Sequence, residues 1–335
     1  MDRAFPTATW NEAYGSFILH LKAVRAAKTA YFYNVQLRML LRFAEAGSIP
    51  LEKFGKRHLD AYLVSRAEDG KSQSTLHHDA LCAKVFLKWC ARNDFTERSL
   101  LADYEVRTAP KTHKYMPTEE DMQALLAAVH SFWNPELNPE VRFVKASRRV
   151  FNRDRNYAIV LTLLDSAARI GEILSLKIED YQVNQKQIAI RESKGREPRA
   201  IPVSSGCAEA VAVWRKVRDR VMKDVPKEED EGYLFLSEAG TKIDEGRFLK
   251  TLKKYVVFAK LSGKISLHSL RRYSLNKLAK HNLLMAQTIA GHKDPRTTLI
   301  YTKIDSDFVR DMHEQVGVVR GILKSKRATV RKRLV

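Results

Sequence analysis

Between Leu267 and Thr302 the chain gathers groups able to bind, protonate and attack a phosphate. The run LHSLRR sets His268 three residues before Arg271, so on a helix the two share a face. AGHKD places His292 after Gly291 and ahead of Pro295, in a turn between two short helices. TTLIYT carries Tyr301. Two earlier segments extend the set. In SAARIGEIL, Arg169 sits where one helix ends and another begins, with Glu172 three residues on. A guanidinium oriented by a carboxylate can be aimed at phosphate oxygens. In ESKGREP, Lys194 occupies a turn, and a lysine beside a phosphate can donate a proton to a departing oxygen. Each residue also has an ordinary reading. Arg169 and Glu172 make a surface pair, Lys194 belongs to a basic hairpin, His268 is structural, and Tyr301 is core or surface. The order Arg, Lys, His-x-x-Arg, Gly-His, Tyr is what points to chemistry.

These segments need a scaffold. Apolar residues at helical spacing predict helices over Trp10 to Val24 (Tyr14, Phe17, Ile18, Leu21) and Thr29 to Glu45 (Tyr33, Leu37, Leu40, Phe43). A shorter helix follows around His58 to Arg66. The next opens with Ser74 as N-cap and has Leu81, Val85, Phe86 and Trp89 as its buried stripe. Together they form a compact four-helix unit. Residues 105–117, with two prolines and no helical period, read as a basic linker, and Thr118 followed by acids caps the first helix of a second unit. Residues 131–156 carry two Asn-Pro turn signals and read as a surface insertion before a helix Tyr157 to Ser166, with a cationic cluster of Arg142, Lys145, Arg148, Arg149 and Arg153. A helix is expected from Arg169 to Leu176. QIAIR and RAIPV alternate around the turn that holds Lys194, which signals a β-hairpin, with a third strand near Tyr181. Helices Ala208 to Met222 and Arg247 to Phe258 follow. The fold class is mainly α with a small antiparallel β-sheet.

Composition sets the partner. The 335 residues fit about two domains. The net charge of +20 and pI of about 9.8 point to a polyanion. The charge is spread along the chain rather than gathered on one amphipathic helix, which favours nucleic acid over a membrane. No apolar run reaches the roughly 18 residues of a membrane span, and the start lacks a signal-peptide core; a cytoplasmic location is expected. Cys82, Cys90 and Cys207 form no metal or disulfide pattern and read as small buried hydrophobes.

Taken together, SAARIGE, ESKGREPRAIPV, LHSLRRYS and IAGHKDPRTTLIYT resemble the tyrosine recombinase (phage integrase) family. The resemblance covers about Met116 to Tyr301, and the N-terminal helices match the family's core-binding domain more loosely. It implies a helical DNA-binding domain at 1–105, a basic linker at 106–117, a catalytic domain at 118–310 and a basic tail at 311–335 that docks on a neighbouring subunit, with the two domains closing on DNA as a C-shaped clamp. It also implies roles. Arg169 and Arg271 clamp the non-bridging oxygens of the scissile phosphate, and Glu172 orients the first. Lys194 is general acid on the leaving 5′-oxygen, His268 and His292 assist proton transfer, and Tyr301 is the nucleophile, giving a 3′-phosphotyrosine. No cofactor or metal is implied. The implied partners are double-stranded DNA with specific sites, a homo-tetramer holding two duplexes through a Holliday junction, and accessory DNA-bending or directionality proteins; the implied place is the nucleoid. The sequence departs from the family pattern at Ala167-Ala168 (Gly and a larger apolar residue are common), Arg272 (His), Ala290 (Leu) and the 131–156 stretch. Two other readings share the charge: a DNA-binding accessory factor without chemistry, and a type IB topoisomerase-like enzyme.

Overall fold

A computed structural model describes residues 8–108, 115–191, 198–224 and 230–291. The chain divides into two compact units, Met1–His113 and Lys114–Val335.

The first unit is built on four helices: α1 (Trp10–Val24), α2 (Ala27–Ala46), α3 (Lys56–Glu68) and α4 (Gln73–Arg92). Thr9 caps α1 through a reciprocal box with Glu12. The core centres on aromatic rings. Trp10 meets Phe54 edge-on at 5.2 Å, and Phe17 meets Phe86 at 5.4 Å. Two expectations for α4 are corrected. Its N-cap is Ser72, whose hydroxyl accepts from the Thr75 amide, not Ser74. Its buried face runs through Cys82, Ala83, Phe86, Leu87 and Cys90, while Leu81 and Val85 are exposed. The helix carries apolar residues on two adjacent arcs. The buried arc also takes in Asp79, whose carboxylate Arg66 reaches at 3.1 Å.

The second unit holds α5 (Glu119–Ser131), α6 (Ala146–Ser166), α7 (Ile170–Ile173), a three-stranded antiparallel sheet, α8 (Ser205–Val221), α9 (Glu245–Phe258), α10 (Leu267–His281) and α11 (Leu283–Ala290). The sheet has the order β1 (Tyr181–Gln182), β2 (Gln187–Ile190), β3 (Arg199–Pro202). In its register Ile188 lies opposite Ile201, and Ile190 opposite Arg199. Ile188, Ile190 and Ile201 are buried. The central helix α6 packs against α5, α8 and α10. Around it lie Trp214, Phe235, Phe248 and Tyr255. Arg218 of α8 clamps the segment that follows, with a fork to Asp230 at 2.7 and 2.9 Å and Nε donating to the Tyr233 carbonyl.

Residues 131–156 are not irregular throughout, and the helix expected from Tyr157 starts earlier. Only the connection from Phe132 to Lys145, with a 3-10 turn at Pro139–Val141, is irregular; Ala146 onward is the first half of α6. Its inward positions include Asn152, Arg155 and Asn156, which hides the apolar period. Arg155 donates to the Leu236 carbonyl at 3.1 Å and to Asn152, and Asn156 donates to the Tyr255 hydroxyl. Burial pulls the Arg155 guanidinium down to about 10. Two members of the cationic cluster are paired, Arg148 with Glu238 and Arg153 with Asp154, while Arg149 donates to the Val144 carbonyl. The helix expected from Arg169 to Leu176 is only the single turn of α7, after which Leu174 and Leu176 enter the core. Among the described residues no helix is long and apolar enough to cross a membrane.

Candidate active site

The site begins where α6 ends. Ala167 terminates that helix in the left-handed conformation (φ 48°), and Ala168 is buried behind it. The turn delivers Arg169 as the N-cap of α7. Glu172, one turn on, accepts the Arg169 amide at 2.8 Å. Its Oε1 lies 3.5 Å from Arg169 Nη1. That Nη1 is buried and makes no hydrogen bond, although the side chain as a whole is 30% exposed. Arg169 is thus a guanidinium held beside a carboxylate with donor capacity to spare.

Helix α10 supplies the second arginine. Ser266 caps it, accepting from the Ser269 amide, and Leu270 and Leu275 anchor it in the core. Arg271 is buried. Nη1 donates to the Ala167 carbonyl and Nη2 to the Ala290 carbonyl at 3.0 Å. One side chain therefore joins the end of α6, just ahead of Arg169, to the end of α11, just ahead of Gly291. His268 lies a turn earlier on α10 and is exposed. The neighbouring Arg272 turns away and donates to the Tyr115 carbonyl at 3.0 Å.

A third arginine stands in the same junction. Arg199 opens β3 with its side chain only 10% exposed. It forks onto Glu172 at 2.9 and 3.3 Å, and its Nε donates to the Ile289 carbonyl at 3.0 Å. Arg199 and Arg271 thus satisfy consecutive carbonyls at the end of α11, groups that a helix leaves without partners and where its dipole favours cations. Gly291 closes that helix with φ 63°, and a Cβ there would stand 3.2 Å from the Arg199 guanidinium. Sequence reasoning passed over Arg199. The signal was alternation: Arg199 shares the face of the buried Ile201, and a cation on the core side of a strand needs a buried partner.

The structure brings Arg169, Glu172 and Arg271 to one junction and puts His268 on the same helix as Arg271. Among the described residues Arg169 and Arg199 share the Glu172 carboxylate and Arg271 lies in the same junction, a gathering of cations suited to an anion such as a phosphodiester. Lys194, His292 and Tyr301 lie outside the described residues. What can be placed is where their segments leave the fold. β2 ends at Ile190 and β3 begins at Arg199, on either side of the segment with Lys194, and Gly291, at the edge of the junction, precedes His292.

The phage integrase family model matches residues 138–307, about half of the chain. Among curated proteins the chain is similar to the tyrosine recombinase XerC of Halalkalibacterium halodurans, 27% identical over 313 residues, covering 89% of this chain and 94% of the relative. It is equally similar to XerC of Thermodesulfovibrio yellowstonii, 27% identical over 309 residues, covering 90% and 94%. Two solved structures share the fold. The Tn1549 transposon integrase in complex with circular intermediate DNA superposes with a TM-score of 0.64 at 17% identity, covering 91% of this chain and 99% of that one. A lambda integrase dimer bound to a COC′ core site also gives 0.64, at 14% identity, covering 89% and 80%. The chain belongs to the phage integrase family and is a tyrosine-type site-specific DNA recombinase.

Proposed function

We propose that this recombinase cleaves and rejoins DNA through Tyr301, at a phosphate held by Arg169 and Arg271. The observation that carries the reading is the pair of hydrogen bonds that Arg271 donates to the Ala167 and Ala290 carbonyls, which gathers both arginines and Gly291 into one place. The phosphodiester is anionic and repels a nucleophile. Two guanidiniums on its non-bridging oxygens offset the charge that grows in the transition state. The Tyr301 phenol, a weak acid, gives its proton to a histidine of the pair His268 and His292 as its oxygen bonds to phosphorus. The bond from phosphorus to the 5′-oxygen breaks, and Lys194 protonates that oxygen. One ester replaces another, so the 3′-phosphotyrosine retains the bond energy and rejoining runs the step backwards. Glu172 fixes the backbone of Arg169.

The wider reading is that the protein acts on the paired sites of a mobile element, as an integrase, transposase or resolvase. The departures at Ala167, Ala168, Arg272 and Ala290 from the pattern common in the family support this over a housekeeping role. Four protomers would hold two duplexes and exchange strands in pairs through a Holliday junction, aided by accessory DNA-bending or directionality proteins, in the cytoplasm at the nucleoid. The basic charge of both units supplies a salt-dependent affinity for DNA.

Nicked suicide duplexes test the chemistry. The wild-type chain selects its site by covalent capture from a pool with a randomised core. A protein–DNA adduct is expected, and Tyr301→Phe should abolish it while binding persists. An adduct formed by the Phe variant refutes Tyr301. Relaxation of supercoiled plasmid lacking the selected site would favour a topoisomerase.

A further inference from the structure

We infer that Arg199 is a positioning residue of the reaction: by holding Glu172 in a fork, it keeps that carboxylate from neutralising Arg169. The inference rests on the proposed role of Arg169 as a phosphate ligand.

Three observations support it. First, the Glu172 carboxylate stands between two guanidiniums but is shared unequally. Arg199 reaches both oxygens at 2.9 and 3.3 Å, whereas Arg169 comes no closer than 3.5 Å and its side chain makes no hydrogen bond to Glu172. A two-pronged guanidinium–carboxylate pair outweighs a single loose contact. Second, Arg199 is fixed by more than Glu172. Nε donates to the Ile289 carbonyl, and Gly291 leaves the room its guanidinium occupies. The fork is therefore rigid and does not follow the carboxylate if it turns. Third, Glu172 is tied to the Arg169 backbone through Oε2, so only rotation of the carboxylate is needed to bring Oε1 from 3.5 Å into a hydrogen bond with Nη1. The Arg199 fork, which holds both oxygens, opposes that rotation. Once rotated, the carboxylate would offset the positive charge intended for a phosphate before DNA arrives. Arg199 also links three separate segments, β3, α7 and the end of α11, so the strand that follows the Lys194 segment in the chain is fastened to the two arginine clamps.

The test uses the full chain and the suicide duplex that the wild-type protein selects. Single-turnover adduct formation is measured for Arg199→Met, Glu172→Gln and the double variant, together with DNA affinity. Arg199→Met should slow adduct formation by about 30-fold or more while affinity changes by less than about threefold. Adding Glu172→Gln to it should recover about tenfold, because the amide keeps the backbone contact but carries no charge. A purely structural role predicts the opposite: the double variant is as slow as Arg199→Met or slower, and that result overturns the inference. So does an Arg199→Met protein that cleaves at the wild-type rate. Arg199→Lys, alone and with Glu172→Gln, repeats the comparison in a variant that retains the cation, and covers the case in which the Met variant does not fold. Wild-type protein that forms no adduct on any duplex would instead bring down the reading of the site itself.

Discussion

Arg271 donates to the carbonyl of Ala167, 104 positions earlier in the chain. The bond ties α10 to the turn that presents Arg169. With the second bond to Ala290, the buried guanidinium serves as a structural pin as well as a proposed phosphate ligand.

Substitutions of Arg271 and Arg169 should therefore differ in stability, although each is expected to abolish cleavage. Arg271→Met leaves two buried carbonyls without their donor and is expected to cost about 2–3 kcal/mol. Arg169→Met removes only a loose pair from a part-exposed side chain and should cost less than about 1 kcal/mol. Urea unfolding of the two variants measures the difference, and equal losses would contradict the pin.

Two helix ends in the site use the left-handed conformation, one with alanine and one with glycine. At Ala167, glycine relieves backbone strain of about 1–2 kcal/mol but removes a buried methyl worth about 0.8 kcal/mol, so Ala167→Gly should stabilise by about 0.5 kcal/mol. Gly291→Ala meets both the strain and the Arg199 guanidinium, and should destabilise by about 1–2 kcal/mol and slow adduct formation about tenfold. Thermal unfolding and single-turnover assays distinguish the two.

The Arg218–Asp230 fork gives a pH dependence. Burial raises the Asp230 carboxyl, but hydrogen bonds from Arg218 and the Gly232 amide outweigh it and leave the group below its ordinary value of 3.8. A depressed acid adds stability above its unfolded pKa and loses it as pH falls through the folded one. Asp230→Asn should thus destabilise the protein at pH 7, by about 2 kcal/mol, because buried Arg218 keeps only the looser, exposed Asp219 at 3.8 Å as a counter-charge. It should also flatten the loss of stability below about pH 4, where the wild-type carboxylate takes up its proton. Denaturant midpoints at pH 3 to 7 decide it.

Removal of residues 311–335 probes the proposed tetramer. The truncated chain is expected to bind a single site with wild-type affinity within about threefold and to fail in pairing two sites, scored by gel shift of the synaptic complex. Full recombination by the truncated chain would refute a docking role for the tail.

Much of the scaffold could be read from residue pattern because the pattern was local. Alternation in QIAIR and RAIPV marked β2 and β3, and His268 and Arg271 fell on one helix as their spacing required. What stayed hidden was set by distant partners. The first half of α6 turns Asn152, Arg155 and Asn156 inward, and their partners Leu236 and Tyr255 lie far along the chain. On α4 two apolar arcs competed, and the buried one also holds Asp79, whose partner Arg66 lies on α3. Arg199 escaped notice because its partners, Glu172 and the Ile289 carbonyl, are 27 and 90 residues away. No local spacing reveals such a contact, though a cation on the inward face of a short strand is a reason to look for one.

The three cysteines, Cys82, Cys90 and Cys207, are the only ones in the chain, and all are buried, with burial raising each thiol to about 12. At neutral pH the native protein therefore offers maleimide reagents almost no thiolate. A single cysteine placed at an exposed position would take a fluorophore on its own, with no need to build a cysteine-free background. One dye on each unit would then allow the approach of the two units on DNA to be followed molecule by molecule.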